Sequence, residues 1–170
     1  MPFAIENTGL DDLPFIYEIF ERSVAYQESR GFPVWKNFDK STLTNDVTSK
    51  MQYKVSLDGQ IAIAFSVRYD DKIIWREMDD NNSVYLHRIV VNPAFKGQKL
   101  FGEILSWAVA HVRGMGRRYV RMDTWADNPT IIDYYKSFGF RMVDNFTTPD
   151  SPDLPVHNRK LALALLELEV

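Results

Sequence analysis

Apolar residues recur along this chain first at helical spacing and then in short alternating runs. Leu13, Ile16, Tyr17, Phe20 and Val24 stand three or four apart, which predicts a helix with one buried face running to about Gln27. Thr8 followed by Asp11 resembles a capping box, and Pro14 suits a first helical turn. Gly31 and Pro33 end that helix. After the aromatic loop Gly31 to Asp39, Ser41 or Thr42 is placed to cap a short second helix toward Lys50. Tyr53 to Leu57 and Gln60 to Tyr69 are β-prone runs separated by Asp58-Gly59, a strong hairpin signal. The acidic stretch Glu77 to Asn82 then interrupts the strands.

In the second half the two periods alternate. Ser83 to Val91 reads as a strand ended by Asn92-Pro93. Leu100 to Arg113 reads as a helix with Phe101, Ile104, Leu105, Ala108 and Val112 on one face, stopped by Gly114 and Gly116. Tyr119 to Thr124 is a strand, Thr130 to Ser137 a short helix ended at Gly139, and Phe140 to Asp144 the start of another strand. Past the loop Pro149 to Pro155, the apolar run Leu161 to Leu168 fits helix or strand by composition alone. Strand, helix, strand implies a parallel pair joined by a crossover helix, attached to an antiparallel meander from the first half. The expectation is a mixed α/β sheet with its working loops at the carboxyl ends of the central strands.

Composition narrows the chemistry. The 170 residues contain no cysteine, which excludes disulfides, thiol nucleophiles and Cys-built metal sites, and His87, His111 and His157 show no metal-ligand spacing, so no metal is expected. The net charge of −3 leaves no basic surplus for a phosphate backbone, so nucleic acid is not the expected partner, although a local basic patch stays open. No run approaches the roughly 20 apolar residues of a membrane span, and no signal-peptide pattern opens the chain. A soluble, cytoplasmic protein with a single domain over residues 1–170 is expected.

The junction from Val91-Asn92-Pro93 through Ala94-Phe95-Lys96-Gly97-Gln98-Lys99-Leu100 to Phe101-Gly102 leads a strand into a helix whose first N–H groups lack intrahelical partners. Such a turn seats an anion such as pyrophosphate, and Lys96 and Lys99 add positive charge. An ordinary strand-to-helix connection reads equally well. The dinucleotide and P-loop glycine signatures are both absent.

The segment Asn128-Pro129-Thr130-Ile131-Ile132-Asp133-Tyr134-Tyr135-Lys136-Ser137-Phe138-Gly139-Phe140 resembles the GNAT superfamily of N-acetyltransferases, which move an acyl group from acyl-CoA to an amine. Asn128, Tyr135, Gly139 and Phe140 match that family's spacing. Its CoA motif, R/Q-x-x-G-x-G/A behind a Val-x-Pro strand end, falls on Lys96 to Phe101, with Lys99 and Phe101 where small residues are usual. The resemblance implies a GNAT-like fold, with a central splayed sheet of about six to seven strands and about four helices, and it makes Leu161 to Leu168 a strand. It implies acetyl-CoA as co-substrate, pantetheine pairing along Ile89, Val90 and Val91, and pyrophosphate amides from Lys96, Gly97, Gln98, Lys99, Leu100, Phe101 and Gly102. It also implies Asn128 on the cofactor arm and Tyr135 as the acid that protonates the leaving thiolate. A packing aromatic is the alternative for Tyr135, with Tyr134 beside it. Phe101 either crowds the cofactor or turns into the core.

The acceptor must lose a proton, and His87, on the strand beside the expected thioester, is the candidate base. A structural His is the alternative, as are Glu77, Asp123, Asp127 or ordered water. Phe32, Val34, Trp35 and Phe38, joined by Trp75 and Trp125, line either an acceptor pocket or a minor core. Glu77, Asp79 and Asp80 near them would suit a cationic amine, or form a solvated turn. The expected activity is direct acetyl transfer to a primary amine of a small molecule or peptide. A degenerate CoA-binding sensor is the competing reading, and a homodimer is left open.

Overall fold

The computed structural model describes residues 3–31, 40–154 and 159–170. Phe32, Pro33, Val34, Trp35 and Phe38 of the aromatic loop, and Pro155 and His157, lie outside the described residues. The elements follow the order β1 (Phe3–Asn7), α1 (Leu13–Ser29), α2 (Lys40–Thr48), β2 (Gln52–Leu57), β3 (Gln60–Arg68), α3 (Lys72–Trp75), β4 (Ser83–Val91), α4 (Phe101–Gly114), β5 (Tyr119–Trp125), α5 (Pro129–Lys136), β6 (Arg141–Thr147) and β7 (Ala162–Glu169). The seven strands form a mixed sheet in the order β1-β2-β3-β4-β5-β7-β6. β4 and β5 run parallel, while β1 with β2, β2 with β3, β5 with β7 and β6 with β7 run antiparallel. This is the expected fold class, with five helices among the described residues in place of about four.

The chain packs as two compact units, one built from the residues up to Val67 with Arg88–Ile104, the other from Arg68–His87, Leu105–Leu154 and the C-terminal strand. In the first unit, α1 buries Leu13, Ile16, Ile19 and Phe20, and Ile16, Ile19 and Phe20 pack with Leu43, Ala64 and Val90. Each such side chain contributes about 1.5–3 kcal/mol of transfer free energy. The expected Thr8 to Asp11 box is replaced by one that starts a residue later. The Gly9 N–H donates to Asp12 Oδ2 at 2.8 Å, while Thr8 is buried with its backbone N–H on the Gln52 carbonyl. Ser41 and Thr42 lie inside α2 and do not precede it. β1 had no signal in the apolar pattern because it is an edge strand exposed on both faces.

β4 carries the main irregularity of the first unit. Arg88 takes φ 49, a left-handed conformation that costs a residue with a Cβ about 1–2 kcal/mol. Its guanidinium is held in compensation: Nη2 and Nε donate to Asp46 Oδ2 at 2.6 and 3.2 Å, and the Ser66 hydroxyl donates to the same oxygen at 2.8 Å. Asp46 is 1% exposed. A left-handed residue cannot continue a regular ladder, and the β4–β5 ladder runs only from Ser83↔Tyr119 to Leu86↔Met122.

In the second unit, Trp75, Tyr85, Ile74, Leu163 and Leu165 form the core. The final apolar run is a strand because it pairs on both sides, with β5 and with β6. Leu163 to Leu166 are all buried, which produces the continuous run that hid any alternation. A buried ion pair crosses this core, with Arg121 Nε 2.9 Å from Glu167 Oε2. The predicted face of α4 is buried as expected, at Phe101, Ile104, Leu105, Ala108 and Val112.

Removing the Asp46 carboxylate strands the half-buried Arg88 cation and removes what holds its left-handed backbone. Asp46→Ala is expected to lower the unfolding free energy by about 3–5 kcal/mol, read from urea titration, and an unchanged midpoint would show that the pair does not hold the strand.

Candidate active site

The expected anion loop lies in the first unit and is fixed at its entry by Asn92. The Asn92 backbone N–H donates to the Ala62 carbonyl at 2.8 Å, its Nδ2 to the Ile61 carbonyl at 2.9 Å, and its Oδ1 accepts from the Ala94 N–H at 3.1 Å. Past the turn Pro93–Phe95, the N–H groups of Lys96 and Gln98 close turns onto Pro93 and Phe95. Among the described residues, none accepts from the N–H groups of Gly97, Lys99, Leu100 or Gly102. Amides without acceptors at the start of a 14-residue helix are a seat for an anion.

The two departures from the family's small residues are accommodated differently. Lys99 takes φ 54 and its side chain is exposed, so the backbone keeps the left-handed shape that glycine provides more easily. Phe101 is 6% exposed. Its ring is turned inward, as one of the two alternatives required, and does not occupy the loop's open side. A Cβ added at Gly97, φ 87, would meet nothing within 4 Å. Lys96 is also exposed, and its ammonium lies 3.2 Å from the centre of the Tyr26 ring. That contact, with Arg30 adding, holds the Tyr26 hydroxyl below its usual range. Val90 is buried, Ile89 half-buried and Val91 exposed.

The acid and base candidates both lie in the second unit. Tyr135, on α5, is buried, and burial, reinforced by Tyr134 and by the Asp123 carboxylate, pushes its hydroxyl well above the ordinary tyrosine range. It therefore stays protonated at neutral pH and can act as a donor. Tyr134 beside it is 40% exposed, so burial separates two residues that composition could not. Asn128 caps α5, its Oδ1 accepting from the Ile131 N–H at 3.2 Å.

His87 lies between two carboxylates. Its Nε2 is 3.2 Å from Asp71 Oδ2 and its Nδ1 is 3.8 Å from Asp123 Oδ2. All three side chains are 11–17% exposed, and their donor atoms lie within 4.8 Å of one another, close enough to hold a cation as well as a proton. Asp123, expected as an alternative base, is thus a neighbour of His87. Asp71 is not among the residues expected from sequence. It follows Asp70 at the end of β3, where acidic residues read as a solvated turn, and only the fold brings it beside His87.

Other candidates fall away from chemistry. Trp75 is fully buried in the core, with Trp125 packed against it. Asp79 is buried and fully employed, accepting from the Tyr85 hydroxyl at 2.8 Å and the Asp71 N–H at 2.9 Å. Glu77, Asp80 and Asp127 are exposed.

A family model described as the acetyltransferase (GNAT) family matches residues 14–140. The chain is similar to an uncharacterized N-acetyltransferase of Bacillus subtilis, YesJ, at 24% identity over 83% of this chain and 89% of that protein. Its fold is similar to a GNAT-family acetyltransferase from Listeria monocytogenes, with a TM-score of 0.78 at 20% identity over 99% and 95% of the two chains. It is also similar to the PaiA N-acetyltransferase of Thermoplasma acidophilum in complex with coenzyme A, with a TM-score of 0.72 at 15% identity over 100% of both chains. No helix among the described residues is long and apolar enough to cross a membrane.

The inward ring of Phe101 gives a direct expectation. Phe101→Ala should lower the unfolding free energy by about 3–5 kcal/mol in urea titration, whereas a ring that crowded the loop would leave stability unchanged on its removal.

Proposed function

We propose that this chain, which belongs to the acetyltransferase (GNAT) family and is an acyl-CoA-dependent acetyltransferase, transfers the acetyl group of acetyl-CoA directly to a primary amine, with residues 1–170 working as one domain. The acceptor is an amine of a small molecule or peptide, and the cytoplasm, where acetyl-CoA is available, suits the reaction.

The observation that supports this reading is the set of open amides at Gly97, Lys99, Leu100 and Gly102 leading into α4. Asp123 lies 3.8 Å from His87 Nδ1, and the Tyr135 hydroxyl is raised by burial first and by Tyr134 and Asp123 after it. On this reading the pyrophosphate sits on the amides of Gly97, Lys99, Leu100 and Gly102, with those of Lys96, Gln98 and Phe101 around them. The pantetheine arm runs along Ile89, Val90 and Val91, and Asn128 contacts it. Support for the arm's place comes from the β4–β5 ladder, which stops at Leu86.

In the reaction, His87 takes a proton from the acceptor ammonium. The freed nitrogen lone pair attacks the thioester carbonyl, forming the C–N bond. Collapse of the tetrahedral intermediate breaks the C–S bond, and the departing thiolate takes the Tyr135 proton. The second nitrogen proton is released and restores the tyrosine. With no cysteine in the chain, direct attack is the simpler route.

The sensor reading rested on Lys99 and Phe101. A left-handed Lys99 and an inward Phe101 weigh against it.

Tyr135→Phe should lower kcat about 100-fold, within the span of general acid catalysis, in a thiol-release assay with a panel of primary amines. The dissociation constant for acetyl-CoA by calorimetry should stay within about twofold, since the lost group acts only as sulfur leaves. An unchanged kcat would remove Tyr135 from the acid role, and no acetyl-CoA binding by the unaltered protein would overturn the whole reading.

A further inference from the structure

Of the three groups around His87, Asp71 is the one the proposed reaction leaves without a task. Its carboxylate is 11% exposed, and among the described residues its one ionic neighbour is His87. Oδ2, the oxygen 3.2 Å from His87 Nε2, is buried and accepts no hydrogen bond, so its pairing with the ring is one of charge and proximity. A buried carboxylate is costly unless it meets a positive or protonated partner, so its placement against an imidazole nitrogen needs a reason.

Asp71 precedes α3 as its N-cap residue, and its backbone is tied on both sides. Its N–H donates to Asp79 Oδ2 at 2.9 Å and its carbonyl accepts from the Trp75 N–H at 2.9 Å. Asp79 is fixed through its other oxygen by the Tyr85 hydroxyl at 2.8 Å. That hydroxyl accepts from Arg121 Nη1 at 3.1 Å, and Arg121 is paired with the buried Glu167. A chain of buried polar groups thus ends at the backbone of Asp71 and sets where its carboxylate lies. Buried networks of this kind fix geometry when each member is satisfied.

We propose that Asp71 is a positioning residue for acetyl transfer: it holds the His87 ring by Nε2, so that Nδ1, the nitrogen on the Asp123 side, is the one that takes the acceptor's proton. This rests on His87 being the base. A carboxylate on one imidazole nitrogen selects the tautomer with its proton there and leaves the lone pair on the other. The same carboxylate stabilises the imidazolium formed when the second nitrogen is protonated. The Nδ1 to Asp123 gap of 3.8 Å is too long for a hydrogen bond. An ammonium that reached both atoms would bridge that gap, so the acceptor favoured is an aliphatic amine that arrives charged.

The test compares Asp71→Asn, Asp71→Glu, His87→Gln and the Asp71→Asn/His87→Gln pair in steady-state thiol release with acetyl-CoA and an aliphatic diamine. Asp71→Asn is expected to lower kcat about 10- to 100-fold with the KM for acetyl-CoA within about twofold, a loss of the size seen when a group that orients a histidine is removed. Asp71→Glu should recover part of the loss, and Asp71→Asn should add less than about twofold to His87→Gln, because residues acting as a unit are not additive. An unchanged kcat in Asp71→Asn, or losses that multiply in the pair, would overturn the positioning role while leaving the base in place. A wild-type kcat in His87→Gln would take the base and this inference together. Activity lost to EDTA and restored by zinc would assign the three side chains to a metal instead and overturn it. Should Asp71→Asn melt below the assay temperature, long-range proton–nitrogen spectra of the wild-type protein decide: the neutral His87 ring should carry its proton on Nε2, and a proton on Nδ1 would overturn the inference.

Discussion

The pairing of Arg88 with Asp46 is the interaction on which the course of β4 in the first unit depends. A residue with φ 49 in the middle of a strand persists only where its surroundings over-determine it. Here a buried carboxylate on α2 grips the guanidinium through two nitrogens and is itself held by Ser66. The consequence for β4 is a strand with two characters. Up to Leu86 it is an ordinary member of a parallel pair. Beyond Arg88 it is free of that ladder and leads through Asn92 into the loop of open amides. The cofactor reading needs such a strand, with main-chain groups left for a ligand.

The second constraint is the buried polar chain from Glu167 through Arg121, Tyr85 and Asp79 to Asp71. Taken singly, a buried ion pair is weak evidence for stability, since the cost of removing both charges from water offsets much of their attraction. Its worth here lies in placement. Tyr85 is kept protonated by burial and by Asp79, so it can only donate to that carboxylate, and the direction of every bond in the chain follows. The core of the second unit thus supports the fold and ties down the backbone of Asp71, whose carboxylate faces His87.

Much of the fold was legible in the sequence because its elements carry one-sided burial. The α4 stripe and the Asp58-Gly59 hairpin are cases where period and turn chemistry agree. β1 was not legible, since an exposed edge strand has no apolar alternation to display, and α3 was not, since one helical turn has no period. The identity of β7 was ambiguous for the opposite reason: burial on both faces erases the pattern. At the site, motif spacing singled out Tyr135 over Tyr134, and the structure buries Tyr135 while leaving Tyr134 exposed. Asp71 and Asp123 stand apart from His87 along the chain, and contacts made only by folding carry no spacing signal. The helix-capping role of Asn128 was legible in principle, since Asn before Pro and an apolar run is a helix start.

Lys99 shows how loosely a binding loop can be tied to its residues. Where relatives in the resemblance place glycine, this chain keeps the left-handed backbone with a lysine, at a cost of about 1–2 kcal/mol that glycine would not incur. What the loop uses at that position is therefore a dihedral angle and not a side chain. Divergent members of such a family would escape recognition by letters long before they escape it by backbone geometry.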